Sequence, residues 1–198
     1  MVACSTSPPS VPAAPAGPPP PRSRSIPDRD WTSIEVESAQ LLLPLPDRGG
    51  WARLEGSPSA VWLAHRASGT VLRVRGWLER RSVTAAECAE RATLAWPHLP
   101  VLDSPGVLDR RPLLAPTGYR GWVTLTVARA GSSAIEGRLG AVGAGPGRCF
   151  ALELVTRAGG PGADRVVGET LALFAAGSVD RLTRASFEDW RPSPAPRR

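Results

Sequence analysis

The placement of proline limits this chain more than any other feature. Nine prolines (Pro8, Pro9, Pro12, Pro15, Pro18, Pro19, Pro20, Pro21 and Pro27) fall in the first 30 residues, with almost no large apolar side chain between them, and the 198-residue chain ends on RPSPAPRR. Neither stretch can bury enough apolar surface to offset the entropy of ordering it. We therefore expect residues 1–30 to be a disordered proline-rich tether and 191–198 a disordered basic tail. Residues 31–190 remain for a single domain, long enough to bury a core.

Charge divides along the same lines. All 24 basic residues are arginine, and lysine and asparagine are absent. The missing residue types have A/T-rich codons, so a GC-rich genome accounts for the bias without any demand from function. Six of the 24 arginines and two of the 18 acids lie in the two ends, leaving 18 against 16 in the domain. A nucleic-acid-binding domain concentrates positive charge on its folded face. Here the excess sits on the tails, so no nucleic-acid partner is expected.

Met1-Val2-Ala3-Cys4 is followed by a polar, proline-rich stretch. This start resembles the end of a bacterial lipoprotein signal peptide, in which an aliphatic residue and two small or short residues precede the cysteine that is lipidated. Val2 and Ala3 match that pattern, while Met1 stands where leucine is usual. The hydrophobic run that precedes the motif in that family is missing, so Met1 is expected to be an internal methionine or the sequence to start late. The resemblance implies lipidation at Cys4, export to the cell envelope and attachment to a membrane. An extended tether over residues 5–30 would reach on the order of 80 Å at ~3.1 Å per residue.

Setting Cys4 aside leaves Cys88 and Cys149. An oxidising compartment would let them close a disulfide, constraining the unfolded chain by about 4 kcal/mol in the loop-entropy picture. The alternative is two buried thiols acting as small apolar residues.

Along the domain, TSIEVE (32–37) alternates as a strand, and LLLPLP (41–46) suits an edge strand or an extended approach because of Pro44 and Pro46. Residues 60–66 and 70–77 flank Gly69 as a hairpin, with Val71, Arg73 and Arg75 on one face and Leu72 and Val74 on the other. Thr84-Ala85-Ala86-Glu87 is a capping box and predicts a helix that buries Cys88, Ala92 and Ala95 and stops near Trp96. Residues 97–119 carry five prolines and predict an irregular stretch that wraps over the domain, with room for a short strand. Strands are expected at 120–128, 134–143 and 148–156, then a helix over 164–184 with a break near Gly177-Ser178. Strands, helix, strands, helix predict an α+β fold: an antiparallel β-sheet with two main helices packed on it. This element order is similar to the PsbP-like fold of extrinsic photosystem proteins and their bacterial relatives, and that similarity implies a binding or assembly factor.

The search for chemistry returns no catalytic, cofactor-binding or metal residue to nominate. His65 and His98 are the only histidines, and no HExxH, CxxC or His-x-His brings ligands together. Gly131-Ser132-Ser133 lacks the second glycine of a nucleophile elbow, because Ile135 occupies the place. A triad of Ser132, His65 and Asp103 could be assembled, but nothing selects it. The glycines at 140, 143, 145 and 147 do not make a phosphate loop: there is no lysine for the Walker spacing, and Arg148 stands where a dinucleotide fingerprint needs glycine. They read as a flexible hairpin, with Arg148 as a minor candidate for an anion. Most of the seven tryptophans should be core, with Trp51 and Trp190 the ones expected at the surface.

The expected function is a non-catalytic exported lipoprotein, a binding or assembly factor at the bacterial cell envelope, whose partner is an envelope protein, glycan or lipid. No cofactor is expected. The competing expectation is an envelope hydrolase built on a His/Ser site.

Overall fold

In a computed structural model, residues 24–55, 60–131 and 133–185 are described. The first strand, β1 (Thr32–Val36), pairs antiparallel with β2 (Leu41–Leu45), and the chain then enters β3 (Trp51–Arg53), β4 (Ala60–His65) and β5 (Val71–Leu78). Helix α1 (Ala85–Ala95) follows, then β6 (Val107–Pro112), β7 (Arg120–Ala130), β8 (Ala134–Gly145) and β9 (Arg148–Gly159). Helix α2 (Ala163–Gly177) and the short strand β10 (Thr183–Arg184) close the described chain. The fold is α+β: a seven-stranded antiparallel sheet, ordered β3-β4-β5-β9-β8-β7-β6, a small sheet ordered β1-β2-β10, and two helices packed on the large sheet.

Each element follows from its residues. Thr84 accepts a hydrogen bond from the Glu87 amide, and the Glu87 carboxylate accepts from the Thr84 amide, so the expected capping box starts α1. The helix buries Cys88, Ala89 and Ala92; Ala95, expected inside, is exposed. The small buried side chains let α1 lie close on the sheet. The break at the end of α2 comes where expected, and a short 3-10 turn at Val179–Arg181 continues from it. The edge-strand expectation for 41–46 needs correction. Strand β2 is central in the small sheet, but β10 pairs only with Leu41 and Leu42, so Pro44 lies where the second edge is open. Proline, lacking an N–H, is tolerated there.

The glycines of 140–147 also differ from expectation. Gly140, Gly143 and Gly145 belong to strand β8, and only Gly147, with φ +64°, lies in the turn to β9. A Cβ on Gly140 would stand 2.3 Å from the Pro100 carbonyl oxygen, and one on Gly137 would stand 2.4 Å from a Val167 methyl. These glycines therefore let neighbouring layers approach β8 from both sides.

Period-two alternation puts two different cores on the two faces of the sheet. One face carries Leu72 and Val74 of β5, Leu139 of β8, and Phe150, Leu152 and Leu154 of β9. They pack under Val167, Leu171 and Phe174 of α2 and with Leu41, Leu43 and Leu45 of the small sheet. Each such side chain contributes about 1.5–3 kcal/mol when fully buried. The opposite face holds a smaller core of Cys88, Ala89, Ala92, Trp96, Leu99, Val142, Cys149 and Ala151. Cys88 and Cys149 are joined in a disulfide, with Cα atoms 5.7 Å apart, which fastens the first turn of α1 to β9. Ahead of β1, Ile26 is 4% exposed and part of the larger core, so packing reaches into the stretch read as tether. Cys4 and the tail from 191 lie outside the described residues, as do Ser132 and Trp190. Among the described residues no helix is long and apolar enough to cross a membrane.

Candidate functional site

Helix α1 and the segment after it cover only part of their face of the sheet. Beyond them, β5, β9 and β8 present charged side chains at register positions set by the ladder. Arg73 on β5 stands directly opposite Glu153 on β9, and Glu136 on β8 directly opposite Arg157 on β9. Opposed charges on neighbouring strands attract across the pleat. The Glu153 side chain has no exposed surface. Arg73 donates to one of its oxygens through Nε and Nη2, and Arg138 donates to the other through Nη1 at 3.0 Å. Arg138 also donates through Nε to Glu136 at 2.6 Å, and Arg157 donates to the second Glu136 oxygen. Burial pushes the Glu136 carboxyl up, but hydrogen bonds and charge from Arg157 and Arg138 outweigh it and hold it below the ordinary carboxylate range.

Aromatic rings wall this network. The Arg73 guanidinium lies 4.8 Å from the centre of the Trp96 ring and 5.9 Å from that of Trp62. Both contacts fall in the range where a cation is attracted to a ring face. A groove of about 340 Å³ opens here, lined by Trp62, Val71, Arg73, His98, Arg138 and Arg157. A second, of about 380 Å³, runs from His98 along Pro100 and Ser104 to Glu136 and Arg138. His98 and Arg138 line both, so the two grooves adjoin as a trough beside the end of α1, with Arg138 Nη1 donating to the His98 carbonyl at 3.5 Å where they meet. Volumes of this size suit small-molecule ligands.

His65 is elsewhere. It ends β4 on the face that packs under α2, with none of its surface exposed. Its Nε2 is 2.9 Å from Asp47 Oδ2, and its Nδ1 is 2.9 Å from Ser68 Oγ. Ser68 also bonds Thr70, which bonds Thr156. The structure thus joins a serine, a histidine and an aspartate, but not the set considered from the sequence. The bonded residues are Asp47 and Ser68, which tie the Asp47 turn and the β4–β5 turn together. Trp51 packs edge-on against His65 at 5.1 Å and against Phe174 at 5.7 Å, and its Nε1 donates to the Pro46 carbonyl. Trp51, expected at the surface, is therefore a half-buried packing residue. A histidine shut in this way ties the two turns together. Arg148 lines a separate cleft of about 590 Å³ that it shares with Glu35, Glu37 and Arg53; the two acids compete there with any anion. Among the described residues no group of three or more His, Cys, Asp or Glu could hold a metal ion.

Sequence reasoning missed the Arg73–Glu153–Arg138 network. One signal was legible: Val71, Arg73 and Arg75 share a strand face. The partners on β8 and β9 could not be named without the register.

No protein-family model matches the chain, and no curated protein matches its sequence. Among solved structures, the chain is similar to a crystal structure from Bacteroides thetaiotaomicron VPI-5482, with 7% identity and a TM-score of 0.47. The match covers 83% of this chain and 52% of that one, so the chain spans about half of that protein's length. It is also similar to a fragment of a STAR-related lipid transfer protein from Xanthomonas axonopodis, with 12% identity and a TM-score of 0.22, over 64% of this chain and 96% of that one.

Proposed function

We propose that the chain is an exported, lipid-anchored binding or assembly module of the bacterial cell envelope, with PsbP-like architecture and no catalytic role of its own. The observation that carries the reading is the Cys88–Cys149 disulfide inside the smaller core. Structural disulfides persist in oxidising compartments and are rare in the cytosol. An exported domain with Val2-Ala3-Cys4 near its start and a proline-rich stretch behind it suits lipidation at Cys4 and a tethered display. The open trough beside α1 provides a surface for a partner, and its carboxylates, paired on both oxygens, suit recognition better than proton transfer. A hydrolase built on His65 is disfavoured by that residue's complete burial.

The test is the intact, unreduced mass of the protein from its native cells. The proposal expects a chain beginning at Cys4 that carries diacylglycerol and acyl groups and lacks the two cysteine hydrogens. An unmodified N-terminus with free thiols would overturn it.

A further inference from the structure

The trough beside α1 has a donor surplus that points to a ligand class. Three guanidiniums, those of Arg73, Arg138 and Arg157, face two carboxylates, those of Glu136 and Glu153. Both carboxylates already accept on both oxygens. Each guanidinium carries more N–H donors than these bonds engage and has no acceptor of its own. The carboxylates therefore aim and space the arginines without using them up. Arg73 is held further by the Trp96 and Trp62 rings, and Arg138 and Arg73 are each only 21% exposed, so their spare donors work at reduced solvent screening. Arg157, 66% exposed, stands at the mouth. Guanidiniums fixed in a fork favour a phosphate, whose several oxygens accept paired N–H bonds. Trp62 offers an adjoining ring face on which an apolar or sugar portion could rest.

We propose that this trough binds the phosphate group of a small ligand, with Arg73, Arg138 and Arg157 as its donors. The proposal deepens the binding-module reading and rests on it. The phosphate could belong to a free phosphomonoester or to a lipid headgroup, and the test separates the two.

The full chain would be titrated with glycerol 3-phosphate, followed by tryptophan fluorescence and calorimetry. In parallel it would be sedimented with phosphatidylcholine vesicles, with and without phosphatidylglycerol. Saturable binding in the first arm assigns a soluble ligand; binding that needs phosphatidylglycerol assigns a headgroup. In either arm Arg157→Gln should weaken binding about tenfold, the scale of one lost hydrogen bond to a charged group. The side chain at 157 is exposed, so Arg157→Gln should fold as the wild type does, which unchanged thermal unfolding would verify. Arg165→Gln removes the same charge from α2, on the opposite side of the sheet, and should leave binding unchanged. Absence of binding in both arms, or equal losses in the two variants, would overturn the site. A mass showing lipidation alongside absent phosphate binding would leave the envelope reading standing and remove only this ligand.

Discussion

At the residue scale, two contacts show how local geometry becomes stability. Hydrogen bonds from the Thr84 amide, Arg81 and the Thr84 hydroxyl lower the Glu87 carboxyl from 4.5 to about 2. A depressed carboxyl contributes stability above its unfolded pKa and loses it as pH falls through the folded one. The Glu87 contribution should therefore be complete above about pH 4.5 and vanish towards pH 2. Thermal unfolding of the wild type and Glu87→Gln across that window should show their difference shrinking as the medium is acidified. Thr84→Ala should cost about 1 kcal/mol at neutral pH through the lost cap. The second contact is at Gly50, where an added Cβ would stand 2.3 Å from His65 Nε2 and 2.4 Å from Asp47 Oδ2. Gly50→Ala should break the buried Asp47–His65–Ser68 chain and destabilise the fold by about 1–3 kcal/mol, the cost of buried polar groups left without partners. Chemical denaturation would measure it.

At the scale of elements, glycines of one composition have opposite roles. In β8, Gly140 meets a backbone carbonyl, that of Pro100, whereas Gly137 meets the side chains of Val167 and Leu171. Side chains can turn aside more readily than backbone, so Gly140→Ala should lower the unfolding midpoint further than Gly137→Ala. Gly168 is exposed on α2, with nothing within 4 Å of an added Cβ. There alanine restricts the unfolded chain and suits the helix, so Gly168→Ala should stabilise by about 0.4–1 kcal/mol. A parallel set of urea titrations on the three variants checks both signs. Edge strand β6 is held differently: Arg111 donates to both oxygens of Asp180 at 2.7 and 2.8 Å, pinning the strand to the turn after α2.

For the whole molecule, the disulfide couples the smaller core to the trough. It spans 61 residues of sequence, and closing a loop of that length constrains the unfolded chain by about 4 kcal/mol in the entropy picture. Reduction, or paired Cys88→Ser and Cys149→Ser changes, should lower the unfolding midpoint strongly. The larger α2 core contains neither cysteine and should remain the more protected part in hydrogen exchange. Because α1 runs directly into Trp96, which covers Arg73, reduction should also raise hydrogen exchange at the end of α1 and on the trough-facing part of β5.

Elements whose causes are local were legible in the amino-acid order. The Thr84–Glu87 box began α1, Gly69 turned the β4–β5 hairpin, and alternation in 120–128 marked a strand. Strands, helix, strands, helix then implied the α+β class. Burial at Cys88 was legible too, because it falls on the apolar stripe of a capped helix. The pairings between distant segments came from packing. Register placed Arg73 against Glu153 and Glu136 against Arg157, the α1 packing brought Cys88 to Cys149, and the turn after β2 brought Asp47 to His65. Each depends on which strands become neighbours and at what offset. A one-residue slip of β9 would have turned Glu153 and Arg157 to the other face, away from Arg73 and Glu136.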